Sequence, residues 1–218
     1  MAVLVNIEYL SFIKNMIMKK FLLNLIGFAT IAAMAFTVAE PLQIGSPMPK
    51  ADQKLKDITG KEIALKDAKK EKGLLVMFSC NTCPYVIKNQ QRTIAISEYA
   101  LKMNVGVILL NSNEALRGNE DSYDAMKNYA KTQNYKWNYV VDKNNEVADA
   151  FGANRTPECF LFDNNLTLVY HGAIDDNPSN AEAVSKEHLK NAINELTSGK
   201  EIVVKESRSV GCSIKRKG

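Results

Sequence analysis

The sequence is poor in metal-binding residues. It has two histidines, His171 and His188, and they show no ligand spacing. Of its four cysteines only Cys80 and Cys83 form a close pair; Cys159 and Cys212 stand far from them and from each other. A structural zinc site usually takes a second close pair, so the pattern argues against zinc. A continuous basic stripe with aromatics is also lacking. The cationic residues are dispersed except at Lys215, Arg216 and Lys217, which argues against nucleic acid. Repeats are absent, and prolines and glycines are few. What remains is a globular composition, 46% hydrophobic and 24% charged, with a mild net charge of +4. The length of 218 residues suits one domain with an ordinary core plus extras. Neither a metal nor a cofactor is expected.

What is present is a dithiol. Cys80-Asn81-Thr82-Cys83-Pro84 follows a hydrophobic run over 73–78 that reads as a buried strand, and precedes a helical pattern starting near Pro84. A helix N-terminus offers unpaired N–H groups and partial positive charge, which stabilise a thiolate. Cys80, at the open end, is the expected attacking thiol, with the lower pKa; Cys83, one turn in, is placed to resolve a mixed disulfide. Pro84 suits the first helical position, where its missing N–H costs nothing. A purely structural disulfide between residues so close would constrain little chain.

The N-terminus reads as a targeting segment over 1–39. Lys19 and Lys20 open a short positive region, and 21–39 is apolar and rich in small residues, with Asn24 its one strongly polar interruption. Small residues at Ala33 and Ala35, or at Thr37 and Ala39, offer cleavage positions for a bacterial-type secretory signal. The first seventeen residues fit poorly ahead of a signal, so the expected start is Met18 or Met16. An uncleaved membrane anchor is the other reading, because the run is nearly long enough to span a bilayer. No cysteine follows the run for lipid attachment. The expected location is outside the cytoplasm, in a bacterial periplasm, where disulfides persist unless something keeps them reduced.

The mature domain is expected over 40–200, with a polar tail over 201–218 that carries Cys212. A hairpin is expected over 54–65 around Thr59, Gly60 and Lys61. The helix from Pro84 is expected to turn Ile87, Ile94, Tyr99 and Leu101 inward. A second apolar run over 105–110 reads as a strand buried on both faces, followed by a polar loop over 111–121. Ser122 is placed to cap a helix with Met126, Tyr129 and Ala130 on one face. A short strand over 137–141, a short helix over 146–151 and a hairpin of 159–162 with 166–170 follow. The last helix, over 186–198, ends at Gly199. Strand, helix, strand, helix, hairpin and helix make a three-layer α/β plan, a central mixed sheet with helices on both faces. Thr156-Pro157 stands just before the strand at 159. A cis bond is expected there, facing the dithiol.

With these residues in place the chain resembles the thioredoxin superfamily. More narrowly it resembles the redoxin branch named for alkyl hydroperoxide reductase and thiol-specific antioxidant, and within it a peroxiredoxin-like group bearing Cys-x-x-Cys-Pro-Tyr-Val. The resemblance is carried by 80–86, the strand end at 109–113, Arg155 to Glu158, 160–163 and the tail motif at 211–215. It implies a thioredoxin-like fold, Cys80 as nucleophile, Cys83 as resolving thiol, and Thr156 and Pro157 as a docking edge for extended peptide. It also implies protein or small-molecule disulfides as substrates and a redox partner protein, a membrane-bound electron donor being one form. The chain departs from the pattern in three places. Ser79 stands where thioredoxin has tryptophan. Leu74 replaces an acidic residue, so no buried carboxylate comes from that strand. Cys80 takes the place of the peroxiredoxin threonine.

Three activities compete. Exported thiol–disulfide exchange leads. A thiol peroxidase would attack peroxide with Cys83, resolve with Cys80, and need an arginine, for which Arg155 is the candidate. A copper-binding assembly factor would need three residues between the cysteines and a distant histidine; His171 fits poorly. Cys159, opening an apolar strand, is expected to be structural. Cys212 is either an idle tail thiol or an accessory thiol that folds back to exchange with Cys80.

Overall fold

The computed structural model describes residues 40–217 together with Lys14. The chain divides into two units, Met1–Val38 and Ala39–Gly218. The targeting segment expected over 1–39, including Met18, lies outside the described residues. Among the described residues no helix is long and apolar enough to cross a membrane.

The first strands are β1 (Lys54–Asp57) and β2 (Glu62–Ala64), the expected hairpin. The two apolar runs form β3 (Gly73–Ser79) and β4 (Val105–Asn111), parallel and in register from Gly73 opposite Val105 to Ser79 opposite Asn111. Every residue of both is buried. Strand alternation sends Leu75, Met77, Val107 and Leu109 to one face, and Leu74, Val76, Phe78, Ile108 and Leu110 to the other. Both faces are covered, which is why neither run shows polar alternation. Beyond β4 come β5 (Asn138–Val141), parallel to it, and then β1, antiparallel. After β6 (Arg155–Thr156), β7 (Glu158–Phe162) and β8 (Leu168–Gly172) extend the sheet antiparallel on the β3 side. The order is β2-β1-β5-β4-β3-β7-β8, and β6 pairs apart from it with β9 (Cys212–Ser213).

The helices are α1 (Pro84–Lys102), α2 (Tyr123–Thr132), α3 (Glu146–Phe151) and α4 (His188–Thr197). Ile96 and Ala100 of α1, Met126 and Ala130 of α2, and Leu189 and Ile193 of α4 pack on the Leu75 face. Val147, Ala148 and Phe151 of α3 pack on the Leu74 face. There Phe151 meets Phe78, Phe160 and Phe162 edge-on, with ring centroids 5.2–5.7 Å apart. The fold is the expected three-layer α/β plan. Ser122 caps α2 by accepting from Ala125 N, and Gly199 ends α4 at φ +68°.

One expectation needs correction. Ile87 is 56% exposed. The buried face of α1 is Val86, Asn89, Gln90, Thr93, Ile96, Ser97 and Ala100, with Ile94, Tyr99 and Leu101 partly buried. That face recurs at helical spacing but is half polar, because it meets polar groups. Asn89 donates to Tyr85 O and Pro178 O, and Gln90 Oε1 accepts from Tyr129 OH at 2.7 Å. The chain after α4 runs on against the domain. His171 N donates to Lys205 O at 2.9 Å, and Ser207 N to His171 O at 3.0 Å. Farther on, Ile214 N donates to Asn154 O at 3.0 Å, and Ala115 N to Lys215 O at 2.9 Å. Ile214 is buried in the Leu74-face core.

Candidate active site

β3 ends at Ser79, so its continuation delivers Cys80 to the end of the sheet. α1 begins at Pro84, which makes Cys83 its N-cap, in extended conformation. β7 is the antiparallel neighbour of β3, with Phe78 opposite Glu158. That register brings Thr156 and Pro157 to the same end of the sheet. The Thr156–Pro157 bond is cis.

Both thiol positions converge on Thr156. Cys80 Sγ lies 3.5 Å from Thr156 Oγ1, and Cys83 Sγ lies 3.4 Å from Thr156 O. Cys83 is disulfide-bonded to Cys212, with their Cα atoms 6.1 Å apart. Cys80 and Cys159 are free and buried. Cys212 pairs with Thr156, and Ser213 with Arg155, as antiparallel strands. Arg155 Nη1 donates to Gly211 O at 3.3 Å.

The sequence pattern leads one to expect Cys80 at the open end with the lower pKa, and Cys212 either as an idle tail thiol or as an accessory thiol exchanging with Cys80. Instead Cys80 is completely buried, and burial pushes its thiol above the ordinary value. Its bond with Thr156 and the N–H groups of Cys83 and Thr82 favour the thiolate, while the nearby Asp121 carboxylate opposes it. The helix starts at Pro84 as expected; what differs is that Thr156 packs against the Cys80 sulfur. The chain needs 80–82 to leave the strand, so Cys83 occupies the capping position and reaches Cys212. Cys159, opposite Met77 on β3, is fully buried and its thiol is pushed far up by burial.

Several further residues build the site. Asp121, fully buried, accepts from Asn81 N at 2.9 Å, Asn111 Nδ2 at 2.7 Å and Asn113 Nδ2 at 2.8 Å. Asn113 Oδ1 in turn accepts from Lys215 N at 2.9 Å. One network thus ties the loop after Cys80 to the C-terminal segment. Leu74 brings no carboxylate, as read, but the loop after β4 does. Tyr129, Tyr135 and Tyr139 stand near Cys80; burial pushes Tyr129 to about 12 and raises the other two well above the ordinary tyrosine value. Glu158 Oε2 accepts from Asn154 N and Arg155 N, both at 2.9 Å, which fixes the chain entering Thr156. His171 Nε2 is bonded to Glu158 Oε1 at 2.7 Å and its ring stacks on Phe160. Tertiary folding alone assembles these groups. The clue available was the strand end at 109–113, which carries part of the resemblance and opens the polar loop over 111–121.

Residues 43–186 match the Redoxin family. The chain belongs to the Redoxin family. As a redoxin it is an oxidoreductase. It is 27% identical over 144 residues to thiol-disulfide oxidoreductase ResA of Bacillus thuringiensis subsp. konkukian, covering 66% of this chain and 77% of that one. Among solved structures it resembles a conserved protein from Geobacillus kaustophilus, at 33% identity and TM-score 0.75, over 80% of this redoxin and 93% of that chain. It likewise resembles a protein from Sinorhizobium meliloti 1021, at 29% identity and TM-score 0.75, over 82% and 97%.

Proposed function

We propose that this redoxin is an exported thiol–disulfide oxidoreductase that works through Cys80 and Cys83, with Thr156 and Pro157 as its docking edge. One observation carries the reading. A free thiol, Cys80, and a disulfide sulfur, Cys83, lie within 3.5 Å of atoms of one residue, Thr156. The ResA name on a relative 27% identical supports the same chemistry.

Cys83 is the sulfur that meets the partner, since it caps α1 and already carries an inter-segment bond. Cys80 is the resolving thiol behind it. In the reducing direction the Cys83 thiolate attacks a substrate disulfide and expels one substrate thiolate. The Cys80 thiolate then attacks Cys83 sulfur, closing Cys80–Cys83 and releasing the second substrate thiolate. The substrate gains two electrons, and a dithiol partner restores the enzyme. The oxidising direction is the reverse. Export rests on the apolar segment 21–39 behind Lys19 and Lys20. The CxxCPYV subgroup reading belongs to the same proposal.

The peroxidase alternative needs a guanidinium at the sulfur, and Arg155 instead donates to Gly211 O. The copper alternative needs a free imidazole, and His171 is engaged by Glu158. Turnover of insulin and glutathione disulfides, measured beside hydrogen peroxide consumption, tests the proposal. Disulfide turnover that exceeds peroxide consumption is expected; peroxide consumption without disulfide turnover would overturn it.

A further inference from the structure

The Redoxin match ends at residue 186, yet chain beyond it reaches the reacting sulfurs. Strand β9 pairs antiparallel with Thr156, the residue before Pro157. An extended peptide adds itself to an open strand edge in just this way. The docking does not depend on the disulfide alone, because Ile214, Lys215 and Ala115 hold the segment by backbone bonds. Gly211 is required for the approach: a Cβ there would overlap Thr156 O. The edge that a peptide substrate would use is therefore filled, and the sulfur it would meet is bonded.

We propose that Cys212 is a third redox thiol, carried on a segment that docks as an internal substrate and is released by exchange with Cys80. This inference rests on the dithiol reading above. The Cys80 thiolate attacks Cys83 sulfur; the Cys80–Cys83 bond forms as Cys83–Cys212 breaks. Cys212 leaves as a thiolate and takes up the proton that Cys80 lost. The two linkages are isomers at one oxidation level, so no outside oxidant or reductant is consumed. With its tether cut, β9 can leave and the Thr156 edge opens. The segment also describes the substrate class: an extended, cysteine-bearing peptide with small residues beside the cysteine, as Gly211 and Ser213 flank Cys212.

Non-reducing peptide mapping of the oxidised full chain, alkylated at graded pH, tests the exchange. At neutral pH the Cys83–Cys212 linkage should dominate with Cys80 free. As pH rises, Cys80–Cys83 should appear together with alkylated Cys212. Cys80→Ser should hold Cys83–Cys212 throughout. Failure to find Cys83–Cys212, or a bond that never exchanges in the wild type, overturns the proposal. In a second arm, oxidised Cys212→Ser protein is mixed with a synthetic peptide of residues 207–217. Capture of the peptide on Cys83 is expected, and several-fold more slowly for a peptide with Gly211→Val; no capture, or equal capture, overturns the internal-substrate role. Failure of the dithiol reading shows separately, as absent disulfide turnover in wild type and Cys212→Ser alike.

Discussion

Cys212 lies opposite Thr156 in antiparallel register, and Thr156 O is 3.4 Å from the sulfur to which Cys212 is bonded. Through its hydroxyl, Thr156 also meets the free Cys80 thiol at 3.5 Å. One buried residue therefore touches the free Cys80 thiol, the Cys83 sulfur and strand β9.

Cys80 should alkylate with a pH midpoint above the ordinary thiol value of 9.0, because burial outweighs the groups that favour its thiolate. Thr156→Val removes one of those groups and should move the midpoint higher still. Iodoacetamide rates on the oxidised protein give both values. A midpoint below 9.0 would contradict the burial argument.

Asp121→Ala should cost about 3 kcal/mol or more, since it strands three buried N–H donors at roughly 1–3 kcal/mol each. Asp121→Asn, which keeps one accepting oxygen, should cost less. Urea unfolding of the two variants measures the difference, and equal costs would discount the network.

Much of the layout was legible from the chain. The runs at β3 and β4 are apolar throughout because both faces are covered, and that pattern survives in one dimension. Ser122, Pro84 and Gly199 mark helix ends by local chemistry, so they too could be read. The inner face of α1 could not, because Asn89, Gln90 and Thr93 are buried against polar partners from distant segments. Asp121 was invisible for the same reason: its partner Asn81 is 40 residues away. The burial of Cys80 could not be read either, because Thr156, which meets both sulfurs, lies 76 residues from Cys80 and 73 from Cys83.

Gly211→Ala should loosen β9, because the added methyl overlaps Thr156 O. A loss of about 1–3 kcal/mol is expected from such overpacking. Reduction of Cys83–Cys212 by dithiothreitol should then be faster than in the wild type. Unchanged melting and reduction rates would mean that β9 does not pack as described.

Cys159→Ala should leave disulfide turnover intact and cost about 1 kcal/mol for the small cavity. It should also flatten the alkaline loss of stability. The folded thiol stays protonated while the unfolded one ionises near 9.0. Its contribution is therefore full below that pH and falls as pH rises through the window above it. Melting curves across that window, wild type against variant, check the sign.

The most direct measurement is trapping of a protein disulfide substrate by Cys80→Ser and by Cys83→Ser, each reduced and combined with Cys212→Ser so that Cys212 cannot resolve the trapped bond, with the linkage located by peptide mapping. With Cys83 as the exchanging sulfur and Cys80 behind it, both variants lose turnover, and Cys80→Ser accumulates a mixed disulfide at Cys83. Accumulation instead at Cys80 in Cys83→Ser, with none at Cys83, would contradict it.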